Sequence, residues 1–140
     1  MISGVDDAIG RITAALKASG LDENTVILFT SDHGDYMGDF NMLLKGSLPF
    51  RGITQVPFIW SDPQHQGVAS TAALGSTVDI AKTVLERAGL TPYHGMQGTS
   101  LSTAIKDGSS PRDDLLIEFN DMTARLGFDE PPRVRSLVNH

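Results

Sequence analysis

The sequence predicts an α/β protein with a mostly parallel sheet flanked by helices. Three observations predict it. Helical and strand-like patterns alternate along the chain, in the order helix, strand, loop, strand, helix, strand. The stretch TVILFT at 25–30 is apolar on both faces, as in a strand covered on both sides by helices. Asp32 and His33 stand just past that stretch, where open α/β sheets place their ligands.

Each element has its own signal. Val5, Ile9, Ile12 and Leu16 recur at helical spacing, with Asp6 and Asp7 expected in the first turn and Gly20 as the terminating residue. Thr25 to Thr30 are β-branched, apolar or aromatic and suit a strand. Residues 34–55 hold four glycines and one proline and read as a long irregular loop. Val56-Pro57-Phe58-Ile59-Trp60 is a second short strand, with Pro57 confined to its start or an unpaired side. Residues 61–75 form a polar, Gly/Ala-rich connection. Ser76 and Asp79 have capping-box spacing for a helix carrying Val78, Ala81, Leu85 and Ala88, which Gly89 ends. One or two helical turns at 100–106 stop at Gly108. Residues 106–114 are linker-like, and 115–119 and 134–138 read as strands. There is no internal repeat and no low-complexity segment.

Composition narrows the function classes. The chain has 140 residues, is 40% hydrophobic and 20% charged, and so belongs to a globular class. A net charge of −6 argues against a nucleic-acid partner, which needs a basic face. With no cysteine there is no disulfide framework, thiolate metal site or cysteine nucleophile in this chain. No apolar run approaches the roughly 20 residues of a membrane span. The chain opens almost directly in a helix and stops in mid-pattern, so 1–140 is expected to be a single, incomplete α/β domain, the central to C-terminal portion of a larger catalytic domain.

Asp32 and His33 are the leading functional candidates, since a carboxylate oxygen and an imidazole nitrogen both ligate divalent metals. Asp35 and Asp39 add negative charge nearby. A solvated polar turn at a strand end explains the Asp-His pair about as well. Lys45, taken alone, reads as a surface lysine.

Several segments, in order, resemble the sulfatase family of the alkaline-phosphatase-like superfamily of metal-dependent hydrolases. VDDAIGRITAALKASGLDENTVILFTSDHGD is similar to that family's helix, strand and metal-binding turn. GDFNMLLKGSLPFRGITQVPFIW is similar to the following loop and strand, and STVDIAKTVLERAGL and GMQGTSL to the next helix and turn. The resemblance covers roughly residues 3–138. It implies an alkaline-phosphatase/sulfatase-like fold and a hydrolase of sulfate, phosphate or phosphonate esters. Asp32 then matches a metal-ligating aspartate. His33 matches the next ligand position, which is Asn in many sulfatases and His in the phosphonate- and phosphate-ester branches. Lys45 matches a lysine that contacts the sulfate or phosphate group. The implied cofactor is a divalent metal: Ca²⁺ first, with Mn²⁺, Mg²⁺ or Zn²⁺ as alternatives.

Some positions depart from the pattern. Phe40-Asn41 stand where His-Gly is common, Phe50-Arg51 where Tyr-Glu is common, and Lys82 where a proline is usual. The family's nucleophile motif, Cys/Ser-x-Pro-x-Arg, belongs to an earlier region. Ser47, Pro49 and Arg51 reproduce its spacing inside the loop after the lysine, a place that marks the match as coincidental. His65, His94, His140, Asp121, Asp129 and Glu130 read as surface residues. Arg125, Arg133 and Arg135 could approach a substrate but suit surface salt bridges, and Trp60 suits the core. Two functions stay open. In one, the full-length protein hydrolyses sulfate or phosphate esters through Asp32, His33 and Lys45. In the other, this chain is a self-associating piece without turnover of its own.

Overall fold

A computed structural model of the chain describes residues 2–65, 67, 69–121 and 129–139; Arg125 and His140 lie outside them. They divide into two compact units, Met1–Phe29 with Phe58–Gln66, and Thr30–Pro57 with Gly67–His140.

The first unit opens with helix α1, Ile2–Ala18. The helix starts earlier than Asp6 and Asp7 suggest, its first turn holds no acid, and both aspartates fall in its second turn. It ends as the sequence predicts. The Gly20 N–H donates to the Lys17 carbonyl at 3.0 Å and the Leu21 N–H to that of Leu16 at 3.3 Å, a Schellman closure around a left-handed Gly20. After a turn at Asp22–Asn24, strand β1 (Ile27–Thr30) pairs with β2 (Phe58–Ser61). Pro57 sits immediately before β2, at a position where its missing N–H removes no ladder bond. The apolar strip on α1 exists, but none of its residues is buried; Val5 and Ile12 are exposed, as is Ile59 of β2. One helix and two short strands offer too little apolar area to bury one another.

The second unit holds the buried residues Tyr36, Leu101 and Ala104. Its elements are the short helix α2 (Arg51–Thr54), α3 (Ile80–Arg87), α4 (Ser102–Asp107), and strands β3 (Asp114–Asn120) and β4 (Arg133–Asn139). The capping box forms: Ser76 and Asp79 exchange side-chain and backbone hydrogen bonds. Asp79 does far more than cap. Its carboxylate is fully buried and accepts hydrogen bonds from the Ser76 N–H at 2.8 Å, the Thr99 N–H at 2.7 Å and the Arg112 guanidinium at 2.7 Å. Its carbonyl accepts from the buried Thr83 hydroxyl, which in turn accepts from the Leu101 N–H. Gly98 packs so close that a Cβ there would stand 2.5 Å from the Val78 carbonyl oxygen. One carboxylate thus ties the α3 entry to the 98–101 turn and to the 106–114 stretch, which is pinned rather than linker-like.

The sheet differs from expectation. The described residues form two separate two-stranded sheets, not one mostly parallel sheet, and β3 pairs with β4 antiparallel. Alternation is the physical reason. Leu115, Ile117 and Phe119 are half-buried while Asp114, Leu116, Glu118 and Asn120 are exposed, the pattern of an antiparallel ribbon with one solvated face. Glu118 and Arg135 are cross-strand partners on that face and form an ion pair.

Removing one partner of a buried pair leaves an uncompensated charge, at a cost of about 3–5 kcal/mol. Arg112→Met should therefore lower stability by about 3 kcal/mol in urea unfolding followed by circular dichroism. A loss below about 1 kcal/mol would mean that the two backbone N–H donors suffice to hold the Asp79 carboxylate.

Candidate active-site loop

Thr30 ends β1, and Ser31, Asp32 and His33 follow at once. The chain then enters the 34–54 loop, which folds back on itself. The Gly34 N–H donates to the Ile53 carbonyl at 2.8 Å, and a Cβ on Gly34 would stand 1.9 Å from the Gly52 oxygen, so the crossing of these two strands of loop requires glycine. Tyr36 is the loop's centre. Its side chain is buried, and its hydroxyl donates to the Leu48 carbonyl at 2.8 Å and accepts from the Leu48 N–H at 3.1 Å. Its own N–H donates to the Leu44 carbonyl at 2.9 Å, and Gly46 lies against its ring. Phe50 meets Tyr36 edge-on and stacks with Phe40 at 4.3 Å.

Lys45 lies between Leu44 and Gly46, the two residues that Tyr36 holds. This brings its ammonium to 2.8 Å from Nε2 of His33. The other ring nitrogen, Nδ1, is 2.7 Å from the Gly34 carbonyl oxygen. A carbonyl can only accept, so Nδ1 carries the proton and Nε2 presents its lone pair to Lys45. Asp32 Oδ2 is 3.5 Å from the same Nε2. Asp32 Oδ1 is occupied separately, accepting from the His33 N–H at 2.9 Å and the Ser31 hydroxyl at 3.3 Å. Asp32 and Lys45 are exposed and His33 is partly buried. All three predicted site residues therefore meet at one point.

The donor set suits part of a metal shell. Oδ2 of Asp32 and Nε2 of His33 are close enough that both can reach one cation at about 2.0–2.2 Å. A hard cation takes about six or more ligands. Among the described residues no group of three or more His, Cys, Asp or Glu side chains converges, so Asp35 and Asp39 do not complete the shell. Asp35 turns instead to the Met37 N–H at 2.8 Å.

The remaining candidates have surroundings of their own. Arg51, of the S-x-P-x-R spacing, begins α2 and bonds Gln55 just past its end. His65 faces the buried Asp62 at 3.3 Å, Arg135 faces Glu118, and Trp60 is half-buried, its indole N–H without a partner among the described residues. Sequence reading missed Tyr36 and Arg112. An aromatic inside a glycine-rich loop is the only signal for the first, and the second has none.

Comparison with known proteins gives these features a context. The sulfatase family model matches residues 1–90. An arylsulfatase of Clostridium perfringens is 36% identical over 113 residues, which are 78% of this chain and 23% of that protein. The crystal structure of the phosphonate monoester hydrolase of Agrobacterium radiobacter superposes with a TM-score of 0.80 at 39% identity, over 91% of this chain and 26% of that one. A structure holding D-glucosamine-2-N,6-O-disulfate has a TM-score of 0.85 at 24% identity, over 99% of this chain and 28% of that one. The fold is shared with these proteins, and the chain spans about a quarter of their length.

Asp32 is held below the usual carboxylate range, chiefly by the His33 N–H that donates to it, with the electrostatic influence of the adjacent His33 ring second. A depressed value favours the fold above the unfolded-state pKa, and that contribution disappears as pH falls through the folded value. Carbon-13 titration of the metal-free chain should place Asp32 below an ordinary aspartate. His33→Ala should move it only partway back, because the backbone N–H remains. Titration of Asp32 at or above the ordinary value would contradict this assignment.

Proposed function

The chain belongs to the sulfatase family, and from that membership we propose that the full-length protein hydrolyses sulfate esters, with phosphate or phosphonate esters as alternative substrates. This chain contributes Asp32 and His33 as metal ligands and Lys45 as the group that binds the transferring anion. One observation carries the reading: the Lys45 ammonium lies 2.8 Å from Nε2 of a histidine whose neighbour supplies a free carboxylate oxygen.

The three side chains divide the work. Asp32 and His33 would hold a divalent cation, which when bound would supply Lewis acidity towards the ester oxygens. Calcium is the first candidate, with manganese, magnesium or zinc as alternatives. The Gly34 carbonyl fixes the His33 tautomer and keeps Nε2 available as a ligand. Lys45 and a cation cannot share the single Nε2 lone pair. In the loaded protein Lys45 therefore turns to the anion, where its point charge offsets the negative charge that grows on the sulfate oxygens. The remaining metal ligands and the nucleophile come from outside this chain.

A second reading concerns the 140-residue chain by itself. Val5, Ile12 and Ile59 are exposed apolar residues of the first unit, and Leu116 and Leu137 form an exposed cross-strand pair on β3–β4. Such surface favours association. No described helix is long and apolar enough to cross a membrane. Nothing in this reading needs a nucleic-acid partner, and the net charge of −6 disfavours one.

In the full-length protein, Lys45→Ala should lower kcat/KM for p-nitrophenyl sulfate by about 10²-fold or more, the loss typical of one charge-stabilising group. An unchanged kcat/KM would remove Lys45 from the reaction. The 140-residue chain should show no turnover, and sedimentation velocity at micromolar concentration should find it associated. A clean monomer would defeat the second reading.

A further inference from the structure

The Lys45 ammonium donates to Nε2 of His33 at 2.8 Å. The opposite ring nitrogen is committed to the Gly34 carbonyl at 2.7 Å, so Nε2 carries the ring's one available lone pair. His33 would ligate a cation through that same lone pair. We propose that Lys45 is a built-in placeholder for the cation. In the metal-free protein its ammonium occupies the ligand atom of His33, and cation binding releases it towards the anion, so that the two ligands favour each other. This rests on the reading of Asp32 and His33 as metal ligands and concerns the regulation of that site.

Three observations support it. The first is the choice of partner. Oδ2 of Asp32 lies 3.5 Å from the same Nε2, yet among the described residues no carboxylate stands within ion-pair distance of Lys45. An ammonium that only balanced surface charge would lie on that carboxylate. Lys45 takes the imidazole lone pair instead, the atom that a metal must also take.

The second is the freedom to leave. Tyr36 fixes the backbone on either side of Lys45, through the Leu44 carbonyl and the Gly46 contact. The lysine side chain itself is exposed and hangs on a flexible four-carbon stem. The ammonium can therefore swing off His33 with no change in the loop.

The third is charge. A cation shared by Oδ2 of Asp32 and Nε2 of His33 would stand where the ammonium now points, and two positive charges exclude each other from one place. The cation has to break a charge-assisted hydrogen bond before it can use His33. An anion that draws Lys45 away removes that penalty. By linkage, the cation then aids the anion by the same factor.

Calorimetric titration of the full-length protein with calcium, in a buffer free of sulfate and phosphate, tests the placeholder without turnover. Lys45→Met removes both the donor and the charge. It should bind calcium about tenfold or more tightly than the unsubstituted protein, as expected when a hydrogen bond to a charged group no longer has to be broken. The gain should persist in about 0.5 M potassium chloride, where repulsion across solvent is screened. An unchanged affinity, or a gain that vanishes in that salt, would overturn the placeholder. Asp32→Ala separates the two claims. If it abolishes calcium binding while Lys45→Met changes nothing, the metal site stands and the placeholder falls. Calcium binding indifferent to Asp32→Ala, or absent from the unsubstituted protein and from Lys45→Met alike, removes the metal reading and the placeholder with it.

Discussion

The Tyr36 hydroxyl, gripped by both backbone polar groups of Leu48, is the contact on which the 34–54 loop depends. A long irregular loop gains little from local bonds, and closing it costs chain entropy. This closure also carries strain. Met37, Phe40, Asn41 and Leu44 all have positive φ, at about 1–2 kcal/mol for each non-glycine residue. The offset comes from a buried aromatic ring whose polar atom is fully satisfied, and from the Phe40–Phe50–Tyr36 ring contacts. Because Tyr36 also holds Leu44 by its N–H and Gly46 by its ring, it fixes Lys45 from both sides. The meeting of Lys45 with His33 follows from that grip.

Asp79 plays the corresponding part in the remainder of the second unit. A carboxylate with no exposure is tolerable only when its oxygens are hydrogen-bonded and its charge is met, and Arg112 with two backbone N–H groups does both. The two anchors differ in kind. Tyr36 positions a charged side chain at the surface, where chemistry is available. Asp79 spends its charge internally and holds helices and turns in register.

Much of this was legible in the residues, and the parts that were not share a cause. Local rules worked where the partners are near in sequence: Gly20 and Gly89 close α1 and α3, Ser76 and Asp79 form their box, and Asp32-His33 follow β1 directly. Asn41 stands where the family commonly has glycine, and its φ of +59° shows why a residue tolerant of the left-handed region suits the position. The failures are long-range. Nothing local marks Arg112 as the partner of Asp79 or Leu48 as the partner of Tyr36. Element order implies a parallel sheet, whereas the β3–β4 alternation, with Glu118 and Arg135 on one face, belongs to an antiparallel ribbon. The contact of Lys45 with His33 has no local signal either, since its physical cause, the Tyr36 clamp, spans the loop.

The central claim is that this loop presents Lys45 to an anion beside a cation held by Asp32 and His33. A crystal structure of the full-length protein with calcium and inorganic sulfate tests it most directly. The account predicts a sulfate oxygen within about 3.2 Å of the Lys45 ammonium, with Asp32 and His33 on the cation and Tyr36 still bonded to Leu48. A sulfate bound elsewhere, with Lys45 still on Nε2 of His33 and no cation at Asp32, would contradict it.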